Sequence, residues 1–219
     1  VENLGKNATA GNSKYFVIEA DEYDYMFWGL SPEIAVVTNI EHDHPDCFPT
    51  KESYTAAFEG FADRITKSGV LILCIDDPGA NNLLNYAKEK GIQVLSYSIE
   101  NEQADYYVNN YSPIPGAGYT FDANMGNQKL ITVSLQVPGK HNILNALAVL
   151  IISDIMGLEL NSVAVSLSKF IGAGRRFDIL GDASSILIID DYGHHPTEIK
   201  STLSAAKARY PDRRIWAVW

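Results

Sequence analysis

Short apolar runs rich in β-branched residues recur along the first hundred residues, each ending in polar or acidic groups. They are "KYFVIEA" (14–20), "EIAVVTNI" (33–40), "GVLILCIDD" (69–77) and "IQVLSYS" (92–98). Runs this short and this continuous suit strands covered on both faces, the condition of a parallel sheet. Between the second and third, "TKESYTAAFEGFADRI" (50–65) repeats Tyr54, Phe58, Phe61 and Ile65 at helical spacing, with Thr50 as a predicted N-cap. "GANNLLNYAKEKG" (79–91) predicts a second helix closed by Gly91. Alternating strand and helix gives an α/β fold: a mostly parallel sheet flanked by helices.

From 103 to 137 the pattern changes to short strands separated by Gly, Pro and Asn, which predicts an antiparallel patch on the sheet edge. "KHNILNALAVLIISDIMG" (140–157) and "NSVAVSLSKF" (161–170) predict two further helices, and "GAGRR" (172–176) a hinge. Beyond it, "RFDILG", "SILIIDDYG", "HPTEIKSTLSAAKARYP" and "RIWAVW" read as strand, strand, helix, strand. Starting at Val1 and stopping inside an apolar run, the chain reads as an excised piece.

The formal net charge of -10 argues against a nucleic-acid or anionic-membrane surface. Cys47 and Cys74 lie in no CxxC pair, so zinc-ribbon and thioredoxin readings fall away and a reduced, cytoplasmic compartment is expected. No apolar run approaches the roughly 20 residues of a membrane span.

Chemistry-bearing residues gather in four places. "EADEYD" (19–24) and "EHDHPD" (41–46) each close an apolar run, and in open α/β sheets ligands collect outside the carboxyl ends of strands. Together they could hold a hard divalent cation such as magnesium, which prefers oxygen ligands and usually bridges to phosphates. Position alone does not choose between His42 and His44. In "GKHNILNA" (139–146), His141, Asn142 and Asn145 stand at a helix start, where amides could read an adenine edge or a ribose; Asn142 could equally serve only as a helix-end cap. In "IIDDYGHHPTEI" (188–199), Asp190 and Asp191 end a run, and His194 and His195 precede a Pro-led helix whose free N–H groups suit phosphate. Arg175 and Arg176 could add charge from the hinge. The phosphate loop GxxxxGK(S/T) does not occur, and neither do serine-hydrolase or GxGxxG signatures.

Taken in order, "EADEYD", "TNIEHDHPD", "PGKHNILNALA", "GRRFDILG" and "IDDYGHHPTEI" resemble the Mur ligases of bacterial peptidoglycan synthesis, from about residue 10 to the end. The resemblance implies a central ATP-binding domain over 1–174 without its phosphate loop, then the start of a Rossmann-like C-terminal domain over 175–219. It implies ATP and Mg2+ as cofactors, with Glu19 and His44 as metal ligands. His141, Asn142 and Asn145 would contact adenine, Arg176 and Asp191 would close on the nucleotide, and His194 or His195 would reach the phosphates. The branch implied joins L-alanine to the carboxylate of UDP-N-acetylmuramate; the rival branch adds a tripeptide to the same sugar nucleotide. A non-catalytic nucleotide-binding or scaffold module is the alternative of another class. Several members carry a carbamylated lysine on the helix after "DH", whereas "YTAAFEGFADRI" offers none before Arg64. That leaves the second-metal arrangement open.

Overall fold

The computed structural model describes residues 8–218. Six strands form one sheet in sequence order: β1 (Ile34–Val37), β2 (Val70–Cys74), β3 (Gln93–Ser98), β4 (Tyr106–Pro113), β5 (Tyr119–Met125) and β6 (Gln128–Ser134). β1 to β4 pair in parallel, and β4, β5 and β6 pair antiparallel. The meander expected between 103 and 137 therefore extends one edge of the parallel sheet.

Helices cover both faces. β2 is buried along its whole length, and alternation divides it between two cores. Leu71 and Leu73 pack with Ala35, Val37 and helices α1 (Lys51–Ala62) and α2 (Pro78–Glu89). Ile72 and Cys74 face the other core with Phe121, Val133 and α3 (Lys140–Ile155). α4 (Leu160–Ser168) packs onto that second core through Val163 and Leu167. Burial pushes the Cys74 thiol up to about 11, so it is an unreactive core residue.

The helix boundaries follow local chemistry. The Thr50 hydroxyl caps α1 by accepting Ser53 N, and the Ser53 hydroxyl oxygen accepts Thr50 N in return, a reciprocal pair at 3.2 Å each. Asp77 caps α2, and Pro78 occupies its first turn, where the missing N–H costs nothing. Beyond the hinge, β7 (Asp178–Ala183) and β8 (Ile186–Asp190) form an antiparallel pair followed by α5 (Pro196–Arg209). α5 docks on the main body: Ala205 is buried, and Arg209 donates to Gly116 O at 2.9 Å.

Two predicted strands are absent. Residues 14–20 run without strand pairing, with Phe16 85% and Val17 93% exposed. β1 pairs only with β2, so this run has neither a ladder partner nor a covering face. Residues 214–218 likewise form no strand, and Trp219 lies outside the described residues. β7 and β8 make a sheet of two strands, and no third strand joins it among the described residues. In that part the Rossmann-like expectation meets an antiparallel pair and one helix.

Candidate nucleotide and metal site

The loop leaving β1 is anchored from two sides. Ile40 N donates to Asp77 Oδ1 at 2.9 Å, tying the strand end to the cap of α2. Gly79 lets the chains approach, because a Cβ there would stand 2.1 Å from Ile40 O. Farther along, Phe48 is wholly buried and meets the Tyr25 and Tyr54 rings edge-on at 5.1 and 5.0 Å. Its carbonyl bonds His42 Nε2 at 2.7 Å, so His42 is engaged in holding the loop.

His44 sits at the turn between these anchors, with φ at 52°. Asp43 Oδ1 accepts its N–H at 2.8 Å, and its carbonyl accepts Cys47 N and Phe48 N at 2.9 and 2.8 Å. Its ring faces the segment Tyr23–Gly29, an irregular 3-10 stretch in which Asp24 and Tyr25 also have positive φ. Glu22 Oε1 lies 3.5 Å from His44 Nε2, the Tyr23 ring meets the imidazole edge-on at 5.1 Å, and Tyr23 donates to Asp46 Oδ2 at 2.8 Å. That hydrogen bond lowers the Asp46 carboxyl below its usual range and raises the Tyr23 phenol.

The carboxylate brought to His44 is thus Glu22. Glu19 is exposed in the unpaired segment, and its side chain has no hydrogen bond or ion pair among the described residues.

The loop after β8 meets the loop after β1. His195 Nδ1 stands 3.1 Å from Glu41 Oε2, and His194 Nε2 stands 3.7 Å from Asp43 Oδ2. Asp191 organises the turn by accepting Phe177 N at 2.9 Å and Gly193 N at 2.8 Å. Arg176 reaches Glu198 Oε1 at 3.1 Å. Glu198 Oε2 accepts both His194 N and His195 N, at 3.1 and 3.2 Å. Burial opposes the charge on Glu198, but those N–H groups and Arg176 outweigh it and lower its pKa. The two N–H groups just before this helix are therefore occupied by a carboxylate, and within its first turn Thr197 N donates to His195 Nδ1 at 3.4 Å.

The start of α3 completes the arrangement. Asn142 Nδ2 donates to Pro138 O at 2.7 Å and approaches His141 Nε2 at 3.1 Å, and Asn145 donates to Asn142 Oδ1 at 3.4 Å. The Asn142 amide thus secures the helix end, the role sequence left open beside base recognition. Surrounding protein disfavours the charged imidazole and lowers the His141 pKa; Asp191 opposes this and Arg176 adds to it. A neutral ring accepting at Nε2 agrees with the Asn142 contact. Asp191 and Arg176 thus lie near enough for their charges to act on His141.

Of the residues the sequence points to, His194 meets the loop that carries His44 through Asp43, Arg176 and Asp191 border His194 and His195 through Glu198 and Gly193, His141, Asn142 and Asn145 stand in the first turns of α3, and Glu19 is brought to none of them. Sequence reading did not single out Glu22, Tyr54, Asp77 or Glu198. Glu198 had a signal: it stands three residues after the cap His195, the spacing of a capping box. Among the described residues, no three His, Cys, Asp or Glu side chains are gathered closely enough to hold a metal ion by themselves.

Comparison with known proteins bears on this arrangement. The family model described as "Mur ligase middle domain" matches residues 1–153, and the one described as "Mur ligase, glutamate ligase domain" matches 175–219. UDP-N-acetylmuramate--L-alanine ligase from Roseiflexus sp. (strain RS-1) is 38% identical over 97% of this chain and 48% of its own length. The solved UDP-N-acetylmuramate-alanine ligase of Thermotoga maritima superposes with a TM-score of 0.70 at 27% identity, covering 86% of this chain and 41% of that one. A murein peptide ligase from Psychrobacter arcticus gives 0.65 at 30% identity, covering 96% and 43%. The chain spans about half the length of the curated relatives it matches. Matched over most of its length, the chain belongs to the Mur ligase family.

Proposed function

We propose that these residues carry the nucleotide site of an ATP-dependent ligase of peptidoglycan precursor synthesis that joins L-alanine to the carboxylate of UDP-N-acetylmuramate. The supporting observation is the meeting of two histidine- and carboxylate-bearing loops at strand ends, His195 on Glu41 and His194 on Asp43, beside the start of α3. Such a ligase activates the carboxylate by phosphoryl transfer from ATP, and the incoming amine then displaces phosphate. A site for this chemistry must orient two reactants and offset phosphate charge.

The donor set suits magnesium: carboxylates and one imidazole, too few for a complete shell, match an ion that keeps several waters and bridges to substrate phosphates. Glu19 and His44 are the proposed ligands, and the ion would supply charge compensation for the transferring phosphoryl group. His141, Asn142 and Asn145 would face adenine. Arg176 and Asp191 would approach the nucleotide from the second domain, which we place at 175–219 after a central domain at 1–174. His194 and His195 would lie toward the phosphates. Free thiols at Cys47 and Cys74 suit a reducing, cytoplasmic setting for both sugar nucleotide and ATP. No described helix is long and apolar enough to cross a membrane.

The similarity to a murein peptide ligase supports a second reading, in which the tripeptide replaces L-alanine. Phosphate release by the full-length protein with ATP, magnesium and UDP-N-acetylmuramate separates the two. The proposal expects release with L-alanine and little with L-alanyl-γ-D-glutamyl-meso-diaminopimelate. Release only with the tripeptide supports the second reading, and none with either, from folded protein, overturns both.

A further inference from the structure

Tyr54 is a core residue, 5% exposed and packed against Phe48 and Phe58, yet its hydroxyl leaves the core to donate to Glu22 Oε1 at 3.2 Å. The same carboxylate oxygen stands 3.5 Å from His44 Nε2. Both partners are partly shielded, with the His44 side chain 34% and the Glu22 side chain 26% exposed. Burial, followed by the charge and hydrogen bond of Glu22, pushes the Tyr54 phenol well above its ordinary range, so it remains a proton donor. Tyr23 bounds the imidazole on another side. Among the described residues, His44 Nδ1 has no hydrogen-bond or ion-pair partner.

We infer that Glu22, held by the Tyr54 hydroxyl, is a positioning residue that fixes the His44 ring with its proton on Nε2 and leaves Nδ1 as the ligand-facing nitrogen. The inference rests on the reading of His44 as a metal-site residue. An imidazole that binds a metal through one nitrogen almost always donates its other N–H to a carboxylate, a backbone carbonyl or water, which sets tautomer and orientation. Glu22 provides that carboxylate from the Tyr23–Gly29 side, and Tyr54 ties it to α1. The line Tyr54–Glu22–His44 thus couples the aromatic core to the strand-mouth loop.

The experiment uses the full-length protein with Glu22→Ala, Glu22→Gln, Tyr54→Phe and His44→Ala, plus Glu22→Ala combined with His44→Ala. One readout is the 15N spectrum of the histidine rings at alkaline pH without metal, which reports the His44 tautomer. The other is Mn2+ affinity in the presence of ADP. The expected result is a wild-type Nε2–H tautomer that becomes mixed in Glu22→Ala. Mn2+ binding should weaken roughly tenfold to a hundredfold in that variant. Glu22→Gln keeps an acceptor oxygen and should restore much of the tautomer, and Tyr54→Phe, which preserves the packed ring, should shift both readouts less. In the His44→Ala background, removing Glu22 should cost nothing further. An unchanged tautomer in Glu22→Ala, or an equal loss of affinity with and without His44, overturns the inference. If His44→Ala alone leaves Mn2+ affinity intact, the metal reading fails, and the tautomer still decides whether Glu22 positions the ring.

Discussion

One carboxylate oxygen, Asp77 Oδ1, accepts both Ala80 N at 2.7 Å and Ile40 N at 2.9 Å, so a helix cap also pins the start of the β1 loop. Replacing Asp77 with Ala removes the cap, worth about 1 kcal/mol. It also leaves a part-buried N–H unpaired, at about 1–3 kcal/mol. Asp77→Ala should therefore destabilise by about 2 kcal/mol or more, lowering Tm by about 4–8 °C, as thermal unfolding would show. Sequence marked Thr50 as a cap because nothing competes for its hydroxyl, whereas the second role of Asp77 depends on a residue 37 positions earlier. The same limit applies to Tyr54. Its helical spacing with Phe58 and Phe61 identifies a core residue, but spacing says nothing of a hydroxyl aimed at Glu22.

At the scale of elements, the strands β1 to β8 and the helices α1 to α5 are legible because periodicity, turn residues and caps are local signals. The runs 14–20 and 214–218 carry the same apolar signal, yet neither has a partner strand among the described residues. A strand needs a ladder as well as a pattern, and pattern is all that sequence displays. α4 allows a pH test. Glu159 caps it by accepting Asn161 N at 2.9 Å and Ser162 N at 2.7 Å, together with the Ser162 hydroxyl. Those bonds hold its carboxyl down to about 2 from the usual 4.5. A depressed folded pKa gives stability that is present above 4.5 and lost as pH falls toward 2. Thermal unfolding should therefore separate wild type from Glu159→Ala at neutral pH, with the gap closing between pH 4.5 and 2. A gap independent of pH would mean that the charged cap contributes nothing.

Across the whole molecule, the candidate site is assembled from segments more than 150 residues apart in sequence, with Glu41 against His195 and Asp43 against His194. Motif resemblance named His194 and His195; the contacts they make depend on how α5 docks against the β4–β5 turn and α3. Glu198 was not named, because its work is to hold His194 N, His195 N and Arg176 in place. The N–H groups before α5 and the Arg176 charge are thus already paired within the protein, so the proposed nucleotide would exchange some of those contacts for its own. Hydrogen–deuterium exchange of the full-length protein, with and without magnesium and ADP, tests the central claim most directly. Residues 38–50, the start of α3 around 140–146, and residues 190–198 should gain protection together along one binding curve. Binding that protects none of these segments, or only one of them, would contradict a single site built from all three.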